Sequence, residues 1–316
     1  MTPHTHEPPS VKGKPVLRQS CGDHERLTEM AYWDSQYDPV AHSVASGARR
    51  RTSGSLRKLL GPKMVELMRE YRDYLLWDVI YPAYLPRGAG VRVLEVGSAP
   101  GTHLVQLRQS FGCEPYGVEY TPRGVELNRK LFELHGLDPA HVIHADFLSD
   151  EFQTRYRGYF DVVLSRGFIE HFSDVDGVVA AHANVLAPGG LLAVTIPNLR
   201  GINYGLAWFF RRQVLPMHNR SIMNREAFAK LFDTQGLSPL YCDYFGAFSF
   251  GLFNTSPGSH KRRVLAICMK AQLLLNAAFR LFFKPGRAEH RCFSAHLLFI
   301  GRKARSRAAA QLCGGE

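Results

Sequence analysis

The sequence predicts a doubly wound α/β fold, and three observations point to it. Short apolar runs alternate with helical stretches of about ten to fifteen residues between positions 91 and 196. Glycine or proline separates most of these segments, as is typical of turns. The composition, 45% hydrophobic and 21% charged, is that of a globular protein. Strands that alternate with helices in this way form a mostly parallel sheet with helices on both faces.

The predicted elements follow one another regularly along the chain. A first helix is predicted over 62–84, because apolar residues recur there at helical spacing between Pro62 and Pro86. Asn224 and Gly236 are the predicted cap and stop of a later helix. β-rich apolar runs predict strands over 91–96, 115–119, 142–145, 160–165, 191–196, 237–245 and 293–301. Helical patterns fill the intervals and predict helices over 102–111, 122–135, 174–186, 224–235 and 260–284.

The segments outside this pattern define the predicted domain organisation. Residues 1–25 are rich in Pro, His, Gly and Lys, which predicts a flexible tail, and 304–316 is predicted to be a second one. Residues 26–90 are predicted to form an N-terminal helical segment. The main domain is predicted over 91–303, and it carries two additions. These are an aromatic and basic insertion at 199–222 and a long apolar helix at 260–284.

Cysteine usage and charge narrow the class of protein. The six cysteines are scattered without a CxxC pair, so neither a disulfide framework nor a zinc site is expected. Scattered thiols and an N-terminus without an apolar stretch of signal-peptide length predict a cytoplasmic protein. The net charge of +11 can attract nucleic acid, an anionic membrane or an anionic substrate. Solvated basic patches without a partner explain it equally well.

A glycine loop follows the first predicted strand. Gly97 and Gly101 permit a bulky cofactor to approach the backbone where a Cβ would clash. The helix predicted from Thr102 then points its free N–H groups and positive dipole end at that cofactor. A dinucleotide fingerprint requires GxGxxG, and Ser98-Ala99-Pro100 interrupts that pattern. A nucleotide-binding Walker loop requires a Gly-Lys pair, which is absent after Gly101.

Acidic residues end the next two predicted strands. Glu119 lies about twenty residues after the glycines, where a carboxylate can accept two hydrogen bonds from a ribose diol. Asp146 ends the third strand and is followed by Phe147. Together with the glycine loop, Glu119 favours a ribose-containing cofactor at the carboxyl edge of the sheet.

The order Glu95-x-Gly97-x-x-x-Gly101 resembles motif I of the class I S-adenosylmethionine-dependent methyltransferases. Residues 160–172 resemble the fourth-strand motif of that family, and 186–192 resemble the turn before its fifth strand. The resemblance covers about residues 90–200. It implies a Rossmann-like doubly wound sheet of seven strands, mostly parallel with an antiparallel last strand, and S-adenosyl-L-methionine as the cofactor. The cofactor-binding residues that it implies are Glu95, Gly97, Ser98, Ala99, Gly101, Glu119, Tyr120, Asp146, Phe147, Ser165, Arg166 and Tyr37.

Two histidines are candidates for the chemistry that the resemblance implies. Methyl transfer from a sulfonium is an in-line displacement, and a hydroxyl acceptor benefits from a general base. His171 follows the fourth strand at the carboxyl edge and is the first candidate base, with a packing role as the alternative. His218, in the insertion, is the second candidate, with a solvated loop histidine as its alternative. The aromatic side chains of the N-terminal segment form either a lid over the cofactor or part of the core, and they are Tyr32, Trp33 and Tyr37.

A metal site is not expected from the acidic residues. Asp146, Glu170 and Asp174 follow the third and fourth strands and are the acidic residues that could cluster there. The first two of them match motif positions of the resemblance instead. The sequence therefore predicts no metal.

The apolar segment 264–283 approaches the length of a membrane-spanning helix. At helical spacing, Lys270, Gln272, Asn276 and Arg280 share one face and apolar residues share the opposite one. Basic residues flank the segment on both sides. The pattern indicates a helix at a membrane interface, a cover over an apolar pocket, or packing on the main domain. A spanning helix is the least favoured because two cations would lie within the bilayer.

These observations predict a methyltransferase that acts on a small or lipid-like metabolite, with O-methylation ahead of N- or C-methylation. Peripheral membrane contact through 260–287, at the inner membrane surface, is part of this hypothesis. An RNA-directed methyltransferase or basic binding module is one alternative, although no Asn-Pro-Pro-Tyr motif occurs and nucleic acid is disfavoured as a partner. A non-catalytic methyltransferase-like partner is the other. The sequence leaves the oligomeric state open.

Overall fold

The structure, a computed structural model, describes residues 25–34, 37, 61–255 and 259–305. Seven strands form one sheet in the order β3-β2-β1-β4-β5-β7-β6. In chain order they are β1 Arg92–Val96, β2 Glu114–Glu119, β3 Val142–His144, β4 Phe160–Arg166, β5 Leu186–Pro197, β6 Leu237–Phe245 and β7 His296–Lys303. Strand β7 runs antiparallel to both of its neighbours, and the pairs formed by β1 to β5 are parallel. The predicted fold class is confirmed.

The strand order creates a crevice between β1 and β4. The chain leaves β1 toward β2 and β3 and then returns to the other side of β1 to form β4. At such a switch point the connections diverge, and ligands bind at the carboxyl ends of the strands. The loops that follow β1, β2 and β4 therefore converge on one place.

Helices precede, connect and follow the strands. The first, α1, spans 71–84 and consists of Tyr71–Tyr74, a π-helical stretch Leu75–Ile80 and Tyr81–Tyr84. The others are α2 Thr102–Phe111, α3 Pro122–Leu134, α4 Asp150–Arg155, α5 Val175–Val185, α6 Ile202–Arg211, α7 Arg225–Asp233 and α8 Lys261–Phe282. Short 3₁₀ turns connect several of these elements, including one at Ile169–His171 directly after β4.

The helix predicted over 62–84 is interrupted in the structure. A helical stretch over 61–67 ends, and α1 begins only at Tyr71. The side chain of Asn276 in α8 stabilises this interruption, because its amide nitrogen donates to the carbonyl of Met68 at 3.2 Å. Its oxygen accepts from the backbone N–H of Tyr71 at 3.4 Å. A contact across about two hundred residues cannot be inferred from local spacing.

The fifth strand begins earlier than predicted. Helix α5 ends at Val185 and β5 begins at Leu186, whereas the sequence predicted a strand from residue 191. The pairing jumps from Phe160–Leu186 to Val162–Leu191, so the Pro-Gly-Gly sequence forms an irregularity inside the strand. Such bulges permit a strand to contain turn-forming residues.

Helices cover both faces of the sheet, and the core is divided accordingly. Alternate side chains of β1 point to opposite faces, so that Leu94 packs in one apolar cluster and Val93 in the other. Helices α5, α6 and α7 cover the face of Leu94, and α1, α2 and α3 cover the face of Val93. This two-sided burial explains why the strands read as nearly continuous apolar runs.

The insertion 199–222 folds as α6 followed by 3₁₀ turns at Arg212–Met217 and Arg220–Ile222. It is tied to the loop before β7, because Asn198 and Asn203 both donate to the carbonyl of Ser294 at 2.9 Å. Much of its aromatic surface faces outward. Of the predicted tails, residues 1–24 and 306–316 lie outside the described residues. The domain boundaries stay predictions.

Candidate active site

A cavity of about 210 Å³ lies at the crevice between β1 and β4. Its lining combines the loops after β1, β2 and β4 with the N-terminal segment. The lining residues are Arg26, Thr28, Trp33, Tyr37, Gly97, Ala99, Glu119, Tyr120, Arg166, Gly167, Phe168, His171 and Phe172. A more open depression of about 480 Å³ on α3 is lined largely by charged surface side chains and includes no residue of the glycine loop.

The glycine loop turns sharply at the end of β1. The backbone N–H groups of Gly97 and Ser98 both donate to the carbonyl of Val118, at 3.0 and 3.3 Å. Gly97 has a φ of +67° and Gly101 a φ of +93°, a region that favours glycine. Gly97 faces the cavity, where an added Cβ would lie 3.3 Å from the ring of Phe168. This glycine therefore keeps the backbone accessible to a ligand.

Gly101 and Ser98 serve the packing behind the loop. An added Cβ at Gly101 would lie 2.1 Å from Oδ1 of Asn128 in α3. The amide nitrogen of Asn128 donates to Oγ of Ser98 at 2.6 Å, and the Ser98 side chain is buried. Neither Ser98 nor Gly101 lines the cavity, although the resemblance placed both among the cofactor contacts. Their role in this structure is to fix the loop against α3.

Glu95 holds a buried ion pair beside the cavity. Its Oε1 accepts from Nε of Arg166 at 3.0 Å, and Nδ1 of His103 lies 3.1 Å from the same oxygen. Burial opposes ionisation of Glu95, but the neighbouring positive charge outweighs it and lowers the pKa of the carboxyl. Arg166 supplies that charge because a guanidinium stays protonated, whereas burial lowers the pKa of His103.

Arg166 is thereby held at the cavity wall. Its side chain retains 42% of its surface exposed, whereas Glu95 is almost fully buried. A guanidinium has five N–H donors in a fixed plane, and Glu95 accepts from only one of them in this structure. The remaining donors suit an anionic group in the cavity.

Glu119 provides an acceptor on the opposite side of the glycine loop. Its Oε1 accepts from the backbone N–H of Thr121 at 2.9 Å. Burial raises the pKa of Glu119, and the backbone N–H groups of Thr121 and Ala99 oppose that rise. Tyr37 lies nearby, since burial first and the charge of Glu119 second raise the pKa of its phenol. Both side chains line the cavity.

Asp146 contacts Arg26, a residue that the sequence did not predict as part of the site. Its Oδ2 accepts from Nη2 of Arg26 at 2.5 Å, and its Oδ1 accepts from the backbone N–H of Leu148 at 3.0 Å. The Arg26 guanidinium also lies 4.7 Å from the ring centre of Tyr120. Arg26 lines the cavity, whereas Asp146 does not. Arg26 lies 120 positions from Asp146 in the sequence and belongs to no motif, so the sequence pattern could not identify this contact.

Two further predicted cofactor contacts lie in the core rather than on the cavity surface. Phe147 is buried and packs against Phe168, with ring centres 6.0 Å apart, so that Phe168 is the ring that lines the cavity. Ser165 is fully buried within β4, between Val96 and Val194 of the neighbouring strands. Both residues lie at the strand ends predicted from the sequence, and their assignment as cofactor contacts stays a prediction.

His171 lines the cavity, and its environment fixes its protonation. Nδ1 lies 2.9 Å from the carbonyl of Met217 and 2.8 Å from Oγ1 of Thr28. A carbonyl only accepts, so this contact assigns the proton to Nδ1 and the lone pair to Nε2. Burial, with a smaller effect of the nearby His218, lowers the pKa of His171 to about 3. The ring is therefore neutral at physiological pH.

Glu170 and His218 form a cluster with His171. The rings of the two histidines lie 4.5 Å apart, and Nδ1 of His218 lies 2.7 Å from the carbonyl of Val214, which leaves its Nε2 as the lone-pair atom. Oε1 of Glu170 lies 3.9 Å from Nε2 of His171. Glu170 is fully buried, neither carboxylate oxygen has a hydrogen-bond partner among the described residues, and burial raises its pKa to about 8.

The donor atoms of this cluster lie within 4.8 Å of one another, a grouping that divalent cations can use. It differs from the acidic trio considered from the sequence. Asp146 contacts Arg26, and Asp174 accepts from the N–H of Gly177 at the start of α5. The expectation that no metal is needed stays a prediction.

The N-terminal segment closes one side of the cavity. Residues 25–27 pair with the loop after β4, since the N–H of Leu27 donates to the carbonyl of His171 at 2.8 Å. Trp33 lies edge-on to His171, with ring centres 5.0 Å apart, and Trp33 and Tyr37 both line the cavity. Tyr32 instead packs on Trp33. The segment between residue 37 and residue 61 lies outside the described residues.

The fold and the glycine loop define a class of protein with a Rossmann-like sheet and a cofactor site at its switch point. A family described as a methyltransferase domain matches residues 68–241, a little over half of the chain. The chain belongs to this family of methyltransferases. This confirms the predicted class, with S-adenosylmethionine as its cofactor.

Individual relatives agree with the family assignment. The chain is 27% identical over 143 residues to a ubiquinone biosynthesis O-methyltransferase of Thiobacillus denitrificans, and 29% identical over 120 residues to that of Xanthomonas oryzae pv. oryzae. The matches cover 45% and 38% of this chain, and 60% and 48% of those relatives. A chain from the complex of the Haloferax volcanii Trm112 methyltransferase activator with a methyltransferase shares the fold. Its TM-score is 0.51 at 17% identity, covering 75% of this chain and 91% of the other.

The different roles of the two loop glycines can be separated by substitution. Gly101→Ala is expected to destabilise the protein by about 2 kcal/mol or more, because left-handed backbone costs about 1–2 kcal/mol and the Cβ also meets Asn128.

Gly97→Ala is expected to weaken S-adenosylmethionine binding, because its Cβ enters the cavity. Gly136→Ala is the matched control, since Gly136 has the same φ of +67° and open space around it. Thermal unfolding and calorimetry measure the two effects. Equal affinities in Gly97→Ala and Gly136→Ala would contradict the assignment.

The buried Glu170 makes a distinct prediction about stability. Its folded pKa, raised to about 8, exceeds the ordinary value of 4.5. The native state therefore binds the proton more tightly, and the stability that this contributes is present below about pH 4.5 and is lost as the pH rises to about 8. Glu170→Gln is expected to melt at an increasingly higher temperature than the parent between pH 5 and pH 8. A difference in melting temperature that does not change with pH would show that Glu170 ionises normally.

Proposed function

We propose that this chain transfers a methyl group from S-adenosylmethionine to a hydroxyl group of a small hydrophobic or lipid-like acceptor. The observation that carries the proposal is the position of a neutral His171 on the wall of the same cavity as Gly97, Glu119 and Arg166. The residues suited to the cofactor and the candidate base therefore line the same cavity.

The cavity residues fit the parts of the cofactor. Arg166, held by Glu95, suits the carboxylate of the methionine portion. Glu119 suits the ribose hydroxyls, and the Gly97 backbone permits close approach. Tyr120 and Arg26 form the adjacent wall, with Asp146 behind Arg26. When bound, S-adenosylmethionine supplies an activated methyl group.

His171 is the proposed general base. Because the contact with the Met217 carbonyl assigns the proton to Nδ1, Nε2 is free to accept the proton of an acceptor hydroxyl. The side chain nearest to Nε2 at this end of the cavity is Glu170, whose Oε1 lies 3.9 Å from it. Trp33, Tyr37 and Phe172 enclose this end of the cavity and exclude water.

The apolar character of the cavity and the names of the relatives support the acceptor class. Aromatic rings supply much of the lining near His171. The relatives in Thiobacillus and Xanthomonas are named for O-methylation in ubiquinone biosynthesis. A nucleic-acid acceptor has less support, because a cluster of described basic residues at 261–263 lies at the start of α8 and none of them lines the cavity.

The proposed location is the cytoplasm. Four cysteines in the described part of the chain are free thiols, and they are Cys113, Cys242, Cys268 and Cys292. Free thiols are typical of a reducing compartment and support the proposal.

Substitution of His171 tests the proposed base. His171→Ala is expected to lower kcat for a hydroxyl acceptor by about 10²–10⁴-fold while the affinity for S-adenosylmethionine changes little. His135→Ala, at an exposed histidine beyond the end of α3, is the control and should retain full turnover. Because burial lowers the pKa of His171 to about 3, the acid limb of kcat/KM should lie well below pH 6.5. An unchanged kcat in His171→Ala would assign this histidine to packing.

Removal of divalent cations by a chelator also tests whether His171 acts as the base. A protein base needs no cation, so EDTA is expected to leave the turnover unchanged. A loss of activity with EDTA that Mg²⁺ or Zn²⁺ restores would reassign the Glu170, His171 and His218 cluster to a cation site. Measuring cation binding directly by calorimetry distinguishes the two outcomes without relying on activity.

A further inference from the structure

Helix α8 is attached to the protein through its polar face. Gln272 and Asn276 are almost fully buried, with 1% and 2% of their surfaces exposed. The amide nitrogen of Gln272 donates to the carbonyl of Phe248, and its oxygen accepts from the N–H of Phe250 at 2.9 Å. Arg280, one turn beyond Asn276, donates to the carbonyl of Glu66. Gln272, Asn276 and Arg280 therefore face inward, as one polar face. The expectation that Lys270 shares this face is wrong, because Lys270 is exposed and, at 100° per residue, lies on the side of Leu274.

The apolar face of α8 points outward. Ile267, Leu274 and Leu281 recur every seven residues and are 68%, 65% and 63% exposed. Phe282 is 79% exposed at the end of the helix. In an ordinary surface helix the apolar stripe packs on the core and the polar stripe meets water. Helix α8 has the reverse arrangement, so its outer face requires an apolar partner.

Helix α6 contacts the start of α8. Nζ of Lys261, at the start of α8, lies 4.8 Å from the ring centre of Phe209 in α6. Helix α6 also exposes large apolar side chains, and they are Ile202, Tyr204, Trp208 and Phe209. Trp and Tyr are enriched where a protein meets the headgroup layer of a membrane. We call the exposed apolar side chains of α6 and α8 together the apolar surface.

The charged residues of α8 and of the turn that follows it have one sign, although Glu66 of the N-terminal segment pairs with Arg280. Residues 261–287 contain seven Lys or Arg residues and no Asp or Glu. Lys261, Arg262 and Arg263 lie at one end of α8 and Lys284 and Arg287 beyond the other, and all are exposed. Apolar side chains flanked by cations match an anionic lipid surface.

We propose that the apolar surface docks on the face of a membrane that contains anionic lipids. Helix α8 is long and apolar enough to cross a membrane by length and composition. Its inward hydrogen bonds from Gln272 and Asn276 favour a position flat on the surface, because crossing would strip both side chains of their partners. A second copy of the chain would bring two cationic surfaces together, which disfavours that occupant.

The apolar surface lies next to the cavity. The Arg211 guanidinium of α6 lies 5.6 Å from the ring centre of Tyr32. Tyr32 packs against Trp33, which lines the cavity. Docking therefore places the cavity near the bilayer, whether or not the proposed methyl transfer is correct.

Vesicle co-sedimentation with the full chain tests the proposal. Binding is expected to vesicles of phosphatidylcholine mixed with phosphatidylglycerol, and to be at least about tenfold weaker to phosphatidylcholine alone or at high salt. Leu274→Asp is expected to weaken the binding by about tenfold or more. Leu134→Asp, at a leucine 63% exposed at the end of α3, is the matched control and should bind as the parent does. Arg262→Ser with Arg263→Ser should weaken only the binding to anionic vesicles.

Three outcomes would overturn the proposal. One is equal sedimentation of the parent and Leu274→Asp with anionic vesicles, when circular dichroism shows both to be folded. Another is resistance of vesicle-bound protein to extraction by alkaline carbonate, which would indicate a spanning helix. A third is a dimer in sedimentation velocity that Leu274→Asp dissociates, which would identify a second copy as the occupant. None of these measurements depends on methyltransferase activity.

Discussion

The ion pair between Glu95 and Arg166 is the interaction on which the candidate site depends. It joins the ends of β1 and β4, the two strands between which the chain changes direction. A buried carboxylate is tolerated there because Arg166 compensates its charge. The pair holds the Arg166 guanidinium at the cavity wall, on the side of the crevice opposite Glu119. The glycine loop then needs only to keep its backbone clear of that space.

Neutrality rather than charge characterises the end of the cavity at which His171 lies. Burial lowers the pKa of His171 and raises that of Glu170, so both side chains are kept in their uncharged forms. Backbone carbonyls assign the tautomers of His171 and His218, which leaves both Nε2 atoms without a proton. The charged contacts, between Glu95 and Arg166 and between Arg26 and Asp146, lie instead beside the glycine loop and after β3.

Helix α8 shows how an identical sequence pattern can support opposite structures. The periodicity of 264–283 gave two faces, and either one could have met the protein. Three side chains of α8 donate hydrogen bonds to backbone carbonyls of the rest of the protein, and they are Gln272, Asn276 and Arg280. The face that carries the leucines is left exposed. The same contacts interrupt the helix predicted over 62–84, so two departures from the prediction have one cause.

The sequence by itself determined the order of strands and helices, the class of cofactor and the loops that surround it, because local periodicity and glycine spacing are encoded over short distances. It located Glu119, Gly97 and His171 near the cavity for the same reason. Only the tertiary structure decided which side chains point into the cavity. It turned Ser98 toward Asn128, placed Phe147 in the core and brought Arg26 onto Asp146, since these contacts join residues 30 to 120 positions apart or depend on side-chain direction.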